Sequence, residues 1–147
     1  MATATGGDNL IRRLQAYART EGPHTVAVGF GWGDTYPTGQ SLPLIAAIQE
    51  YGAPAKGIPP RPFMRLTMAR NKGAWPAIAA ARYKARGGDL RATLQDMGEV
   101  VRGDIQDTIR SNVPPPNAPI TEARKGFNRT LIDTGLMLQH VKWAIEE

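Results

Sequence analysis

Hydrophobic side chains recur along this chain at two different spacings, and each spacing predicts a type of element. Residues 8–20 have helical spacing and are predicted to form an amphipathic N-terminal helix within residues 1–21. Its apolar stripe consists of Leu10, Ile11, Leu14, Tyr17 and Ala18. At residues 25–30 the spacing changes to two, which predicts a strand with Val26, Val28 and Phe30 on one face.

The middle of the chain is predicted to be mainly helical. Ser41 can cap a helix that runs to Tyr51 and stops at Gly52, with a strand as the alternative. A helix from residues 64–71 should be broken at 73–76 by glycine and proline, and a new helix should then run through residue 85. Residues 90–111 are predicted to be the longest helix. Its apolar stripe is Leu90, Leu94, Met97, Val101, Ile105 and Ile109.

The end of the chain returns to the alternating spacing. A short helix is expected at residues 135–140, capped by Asp133 or Thr134. Val141, Trp143 and Ile145 then alternate as a final strand that can pair with residues 25–30. We therefore predict one α+β domain over residues 1–147, with a small antiparallel sheet packed against long helices and with extended proline-rich loops.

Residues 57–65, which we call the proline arm, are predicted to be stiff and extended. Pro59, Pro60 and Pro62 fix φ and remove three backbone donors. The helix predicted for residues 64–71 therefore cannot start before them. We expect the arm to bury Phe63 and to leave the side chains of Arg61 and Arg65 facing a neighbouring surface.

A second proline-rich stretch, residues 112–128, is predicted to be one long irregular loop. A loop of this length in a compact domain is uncommon, and such loops are usually functional or bound to a partner.

Composition excludes several classes of site. The chain has no cysteine, so disulfides and thiolate metal sites are excluded, and its two histidines lie far apart without metal-ligand spacing. We expect no metal, no cofactor and no catalytic residue. No apolar run approaches the ~18 residues of a membrane-spanning helix, and no signal-peptide pattern begins the chain, so we expect no membrane contact and synthesis in the cytoplasm.

Charge is distributed unevenly along the chain. The net charge is +5, but residues 61–129 carry thirteen basic and six acidic side chains, whereas residues 130–147 carry one basic and three acidic ones. A basic middle with an acidic end indicates either a polyanion near the middle or complementary contacts between copies.

Three stretches, taken in order, resemble one family. They are Glu50-Tyr51-Gly52 followed by Ile58-Pro59-Pro60-Arg61-Pro62-Phe63-Met64-Arg65, then Pro119-Ile120-Thr121-Glu122-Ala123-Arg124-Lys125-Gly126, and then Leu131-Ile132-Asp133-Thr134-Gly135-Leu136-Met137. Together they resemble the tail-completion, or neck, proteins that join head to tail in tailed bacteriophages. The resemblance covers residues 22–147.

The resemblance implies a non-enzymatic structural protein of the virion, made in the host cytoplasm. Such subunits form a ring between the head connector or adaptor and the tail terminator or tail tube, and genomic DNA passes through the lumen without sequence-specific contact. A ring needs two different surfaces on each subunit, and we expect the proline arm and residues 112–128 to supply them. The predicted subunit-interface residues are Pro59, Pro60, Arg61, Pro62, Phe63, Arg65, Arg124, Lys125, Leu131 and Asp133.

Two other functions are alternatives to a phage neck protein. The basic middle would suit a nucleic-acid-binding protein without enzymatic activity, which would bind by diffuse, salt-sensitive charge. Asp133 and His140 could in principle serve a small hydrolase. A helix cap is the favoured interpretation of Asp133, because no second carboxylate motif accompanies it.

Overall fold

The computed structural model of the chain describes residues 12, 24–31, 33–131 and 135–146. The fold is α+β, as predicted, with one two-stranded antiparallel sheet and six α-helices in the described residues. The elements are β1 (Thr25–Gly29), α1 (Leu42–Tyr51), a 3-10 turn (Pro54–Lys56), α2 (Phe63–Asn71), α3 (Trp75–Ala85), α4 (Leu90–Arg110), α5 (Pro119–Lys125), α6 (Leu136–Gln139) and β2 (Lys142–Glu146).

The sheet joins the two ends of the described chain. β1 and β2 pair antiparallel, with Val26 opposite Ile145 and Val28 opposite Trp143. The predicted pairing of these strands is confirmed. Since a two-stranded ribbon is marginal alone, it depends on the helix packed against its face.

That helix is α4, whose 21 residues form the axis of the fold. Met97, Ile105 and Ile109 of the predicted stripe are buried, while Val101 packs against the same core. Each fully buried side chain of this size stabilises the fold by about 1.5–3 kcal/mol. The core is completed by Ala46, Phe63, Val113, Met137 and Val141.

Gly98 allows the sheet to approach α4 closely. A Cβ at this position would lie 2.6 Å from Cδ2 of Trp143, so only glycine leaves room for the indole ring. The Trp143 Nε1 group donates a hydrogen bond of 2.8 Å to Glu99, one residue further along the helix. Gly98 costs α4 about 1 kcal/mol in helix propensity, and in return it lets Trp143 of the sheet pack against the helix.

The predicted helix boundaries are confirmed at several caps. The Ser41 side chain accepts from the backbone N–H of Leu44, and Asp89 accepts from that of Ala92. The break near residues 73–76 separates α2 from α3, with Pro76 in the first turn of α3.

Three sequence predictions change in the structure. The proline arm is not extended to its end, because α2 begins at Phe63. Residues 112–128 are not one irregular loop, because α5 occupies 119–125. The signals for this helix were present: Pro119 stands in its first turn and Gly126 adopts a left-handed φ of 78° after its end. α6 is shorter than predicted and is preceded by Gly135 in the cap position.

Other predictions fall outside the described residues. These are the N-terminal helix, apart from Arg12, which is helical, and the proposed caps Asp133 and Thr134. Among the helices of the described ranges, none has both the length and the apolar character to cross a bilayer.

Candidate functional site

The proline arm and the segment before α5 face each other across a cleft of about 910 Å³. We call it the proline cleft and define it by Pro59, Arg61, Pro115, Pro116, Arg124 and Leu131. The fold thus brings together the two stretches that the sequence singled out separately. Lys125 also lines this space, so half of the ten predicted interface residues meet there.

Arg61 holds the two walls of the proline cleft together. Its Nε donates to the carbonyl oxygen of Pro115 at 2.9 Å, and Nη2 donates to that of Pro116 at 3.0 Å. Nη1 reaches Oε1 of Gln49 on α1 at 3.3 Å, and the backbone N–H of Arg61 donates to the Gln49 carbonyl at 2.6 Å. The expectation that Arg61 points outward is wrong, since its side chain turns inward and the residue is 7% exposed.

The charge of Arg61 shapes the electrostatics of the cleft. Its side-chain acceptors are three neutral oxygens, so the hydrogen bonds satisfy the guanidinium geometrically without neutralising it. Burial lowers the pKa of Arg61, but an arginine stays protonated in proteins. With Arg124 and Lys125 on the same lining, the cleft favours a negatively charged group.

Glu50 couples two of the motifs that carry the family resemblance. Its carboxylate is buried and accepts from the backbone N–H groups of Met64 and Arg65 at 2.8 and 3.2 Å, which are otherwise free at the start of α2. The Arg65 side chain donates back to the Glu50 carboxylate at 2.8 Å and lies over the ring of Tyr51. The sequence pattern did not reveal this cap, because Glu50 and Met64 are fourteen residues apart in the chain.

Gly52 lets the arm turn back along α1. It has a φ of 77°, and a Cβ there would lie 2.8 Å from the backbone nitrogen of Pro60 and 2.9 Å from the carbonyl oxygen of Ile58. No other residue fits this approach without moving backbone. The motif Glu50-Tyr51-Gly52 therefore fixes the position of the proline arm.

The far wall of the cleft is anchored by a buried threonine. Thr130 donates through its hydroxyl to the carbonyl oxygen of Val113 at 2.7 Å, and its backbone N–H donates to Oδ1 of Asn112 at 2.7 Å. Asn112 and Leu131 both have positive φ, at 60° and 63°, so the chain turns sharply at each end of this wall. Sequence reasoning missed this anchor, which joins residues far apart in the chain.

The end of α5 brings basic side chains to the mouth of the cleft. Arg124 is exposed, whereas Lys125 is half-buried and donates to the carbonyl oxygen of Arg129 at 3.2 Å. The Lys125 ammonium also lies 5.7 Å from the ring centre of Phe127. Of this pair, Arg124 is the side chain better placed to meet a partner.

The remaining predicted interface residues lie in different settings. Pro60 is exposed and Pro62 is half-buried, while Phe63 is 1% exposed and forms part of the core. Arg65 is exposed but paired with Glu50. Asp133 lies outside the described residues, so its role at a subunit interface stays a prediction.

A second concavity, which sequence reasoning missed, lies on another side of α1. It has a volume of about 850 Å³, and we call it the apolar groove. Its defining residues are Val28, Phe63, Met68, Trp75, Met97 and Ile105. The apolar stripe of α4 predicts the floor of this groove. That α2 and α3 form its walls is known only from the folded chain.

The described part of the chain offers no candidate metal centre. No group of three or more acidic, histidine or cysteine residues there could hold a metal ion. A ring nitrogen of His140 lies 2.9 Å from the carbonyl oxygen of Leu136, within its own turn. The hydrolase hypothesis remains a prediction because Asp133 is outside the described residues.

No family model, curated protein or solved structure matches this chain. The resemblance to phage neck proteins therefore depends on the three sequence motifs alone.

Proposed function

We propose that this protein is a non-enzymatic structural subunit of a phage neck, which joins copies of itself into a ring between head and tail. The observation that carries the proposal is the convergence of the proline arm and the 112–128 segment on one cleft. In this proposal, a head connector or adaptor and a tail terminator or tail tube flank the ring, which lies in the virion and passes DNA through its lumen.

The proline arm and residues 112–128 were expected to supply the two different surfaces that a ring contact needs, but they line one cleft and so supply only one of them. The basic lining of this cleft suits a segment with carboxylates, and residues 130–147 carry three acidic side chains against one basic. Glu146, at the end of β2, is exposed. We place the acidic end of one copy against the proline cleft of the next.

Rigidity of the cleft supports the same role. Arg61 joins the two walls, Thr130 anchors the far wall, and Glu50 caps the helix that follows the proline arm, all by hydrogen bonds within the subunit. A surface that is already ordered loses less conformational entropy on association, so more of the contact energy appears as affinity.

The experiment reverses one exposed charge at the cleft. Arg124→Glu should reduce both ring assembly and the joining of heads to tails, measured by native mass spectrometry and by electron microscopy of particles. Lys84→Glu is the matched control, because Lys84 is also exposed on a helix but lies outside the cleft. Equal assembly by both variants, or absence of this chain from purified virions, would contradict the proposal.

A second candidate function is nucleic-acid binding without catalysis. Residues 65–91 carry seven basic side chains and one acidic one, and Arg70, Lys72, Arg82 and Lys84 are exposed. Such a surface would hold phosphate by charge alone, with steep salt dependence. Tight retention of the free protein on DNA, lost on changing these cations and unaffected by Arg124→Glu, would favour this candidate over the ring subunit.

A further inference from the structure

The apolar groove offers almost nothing to a polar ligand. Its floor consists of core side chains, including Phe63, Met97 and Ile105. Several polar groups along it are engaged within the protein: the Thr67 hydroxyl donates to the carbonyl oxygen of Phe63 at 2.7 Å, and Trp75 Nε1 donates to Asp104 at 2.8 Å. The exposed Lys72 also lines the groove. An occupant must therefore be recognised by its apolar side chains.

The rim of the groove is open. Tyr51 and Met68 are 70% and 56% exposed, although both are large apolar side chains beside a buried floor. A contiguous apolar surface of this kind marks a place where another element packs. An amphipathic helix fits such a groove through anchors spaced i, i+3, i+4 and i+7.

We propose that the occupant is the N-terminal segment of the same molecule, residues 8–20. Its predicted apolar stripe has the spacing of a helix that packs into such a groove. Leu10, Leu14 and Tyr17 follow one another at four and three residues. The opposite side of the predicted helix carries Arg12, which is exposed, and Arg19. The segment thus matches an apolar floor with a polar outer face.

The connection to β1 favours the same molecule over a second copy. Val26 and Val28 of β1 themselves line the groove. Thr20 lies six residues before Val26, so the segment ends within about 20 Å of the groove wall. Reaching another copy would require that copy's groove to lie within the same short distance. This inference is independent of the proposed ring.

Cross-linking tests the contact in the full chain. Because the sequence has no cysteine, Leu14→Cys with Met68→Cys gives one unambiguous pair for a short bis-maleimide. The control pairs are Gln15→Cys with Met68→Cys, which turns the segment to its polar side, and Leu14→Cys with Ala123→Cys, which lies outside the groove. We expect several-fold more intramolecular product from the first pair than from either control.

A dye measurement gives a second readout that needs no cysteine. Leu14→Asp should uncover the groove and raise the binding of a hydrophobic dye several-fold at native pH, whereas Gln15→Asp should leave it unchanged. Equal cross-linking by all three pairs, equal dye binding by both variants, or a product that is mainly a cross-linked dimer would overturn the proposal. The last result would assign the groove to a second copy.

Discussion

The proline cleft and the apolar groove lie on two sides of α1 and are built by opposite means. The cleft is held by polar contacts: Arg61 joins its walls through carbonyl and amide oxygens, and Thr130 anchors its far wall. The groove is held by side-chain packing on α4, and its few polar groups bond within its own walls. Hydrogen bonds depend on direction, so the cleft has one defined shape. Apolar packing is less directional, and the groove can accept a range of apolar side chains.

The largest expected effect comes from Phe63, which links the two regions. It belongs to the proline arm as the first residue of α2, lies in the core and meets Phe30 edge to face at a centroid distance of 6.1 Å. Phe63→Ala should lower the free energy of unfolding by about 3–5 kcal/mol in urea titration, through the cavity left behind. Under the proposed neck function, Phe63→Ala should also reduce the joining of heads to tails.

Phe127→Ala is the matched control, because Phe127 is 38% exposed. Its effect should stay within about 1 kcal/mol. Equal losses from the two variants would show that the arm does not anchor in the core.

Arg61 tests the polar side of the comparison. Arg61→Ala leaves the carbonyl oxygens of Pro115 and Pro116 without their donor, and we expect a loss of about 2–3 kcal/mol in unfolding free energy. Arg61→Lys should recover little, since an ammonium cannot reproduce the planar fork of donors. Arg124→Ala, at the exposed mouth, should change stability by less than about 0.5 kcal/mol. If Arg61→Lys proved as stable as the native chain, the fork geometry would not be what holds the cleft.

Substitutions at Gly52 and Gly57 distinguish the cost of a steric clash from the cost of a positive φ. Gly52→Ala combines a positive φ with a clash against Pro60, and we expect a loss of about 2 kcal/mol in thermal or urea unfolding. Gly57→Ala also imposes a positive φ, but nothing lies within 4 Å of the new methyl group, so its loss should be nearer 1 kcal/mol. The difference between them measures how tightly the arm lies on α1, and equal losses would mean that the contact is loose.

Low pH should weaken an ion pair beside α3, which is a wall of the groove, and should leave the hydrogen bonds of the cleft intact. Arg86 on the turn after α3 pairs with Asp96 of α4, and this hydrogen bond lowers the pKa of Asp96 below its ordinary 3.8. The stabilisation is complete above that ordinary value and is lost as the pH falls through the lower value of the folded state.

The wild type should therefore exceed Arg86→Gln in unfolding free energy at pH 7, by a small margin that shrinks as the pH falls below 3.8. Arg61 bonds to carbonyl and amide oxygens that do not titrate in this range, so the effect of Arg61→Ala should not change with it. A margin that is constant with pH would contradict the role of the Arg86–Asp96 pair.

Local pattern was enough to locate most elements of the fold. The period-two spacing of Val26 and Val28, the caps at Ser41 and Asp89, and the break near Pro76 depend only on neighbouring residues, and the structure confirms each. The same kind of signal was overlooked at α5, where Pro119 and Gly126 bracket a helix inside a supposed loop.

The sequence by itself indicated the helices other than α5, the two strands and the non-helical backbone at residues 58–62, because these follow from propensity, spacing and fixed φ within a few residues. Tertiary structure decided where the side chains of the arm point. Arg61 turns inward because carbonyl oxygens more than fifty residues away meet it there, and no local spacing encodes that meeting. The apolar groove is likewise a property of three-dimensional packing, since its floor and walls come from separate elements that only folding brings together.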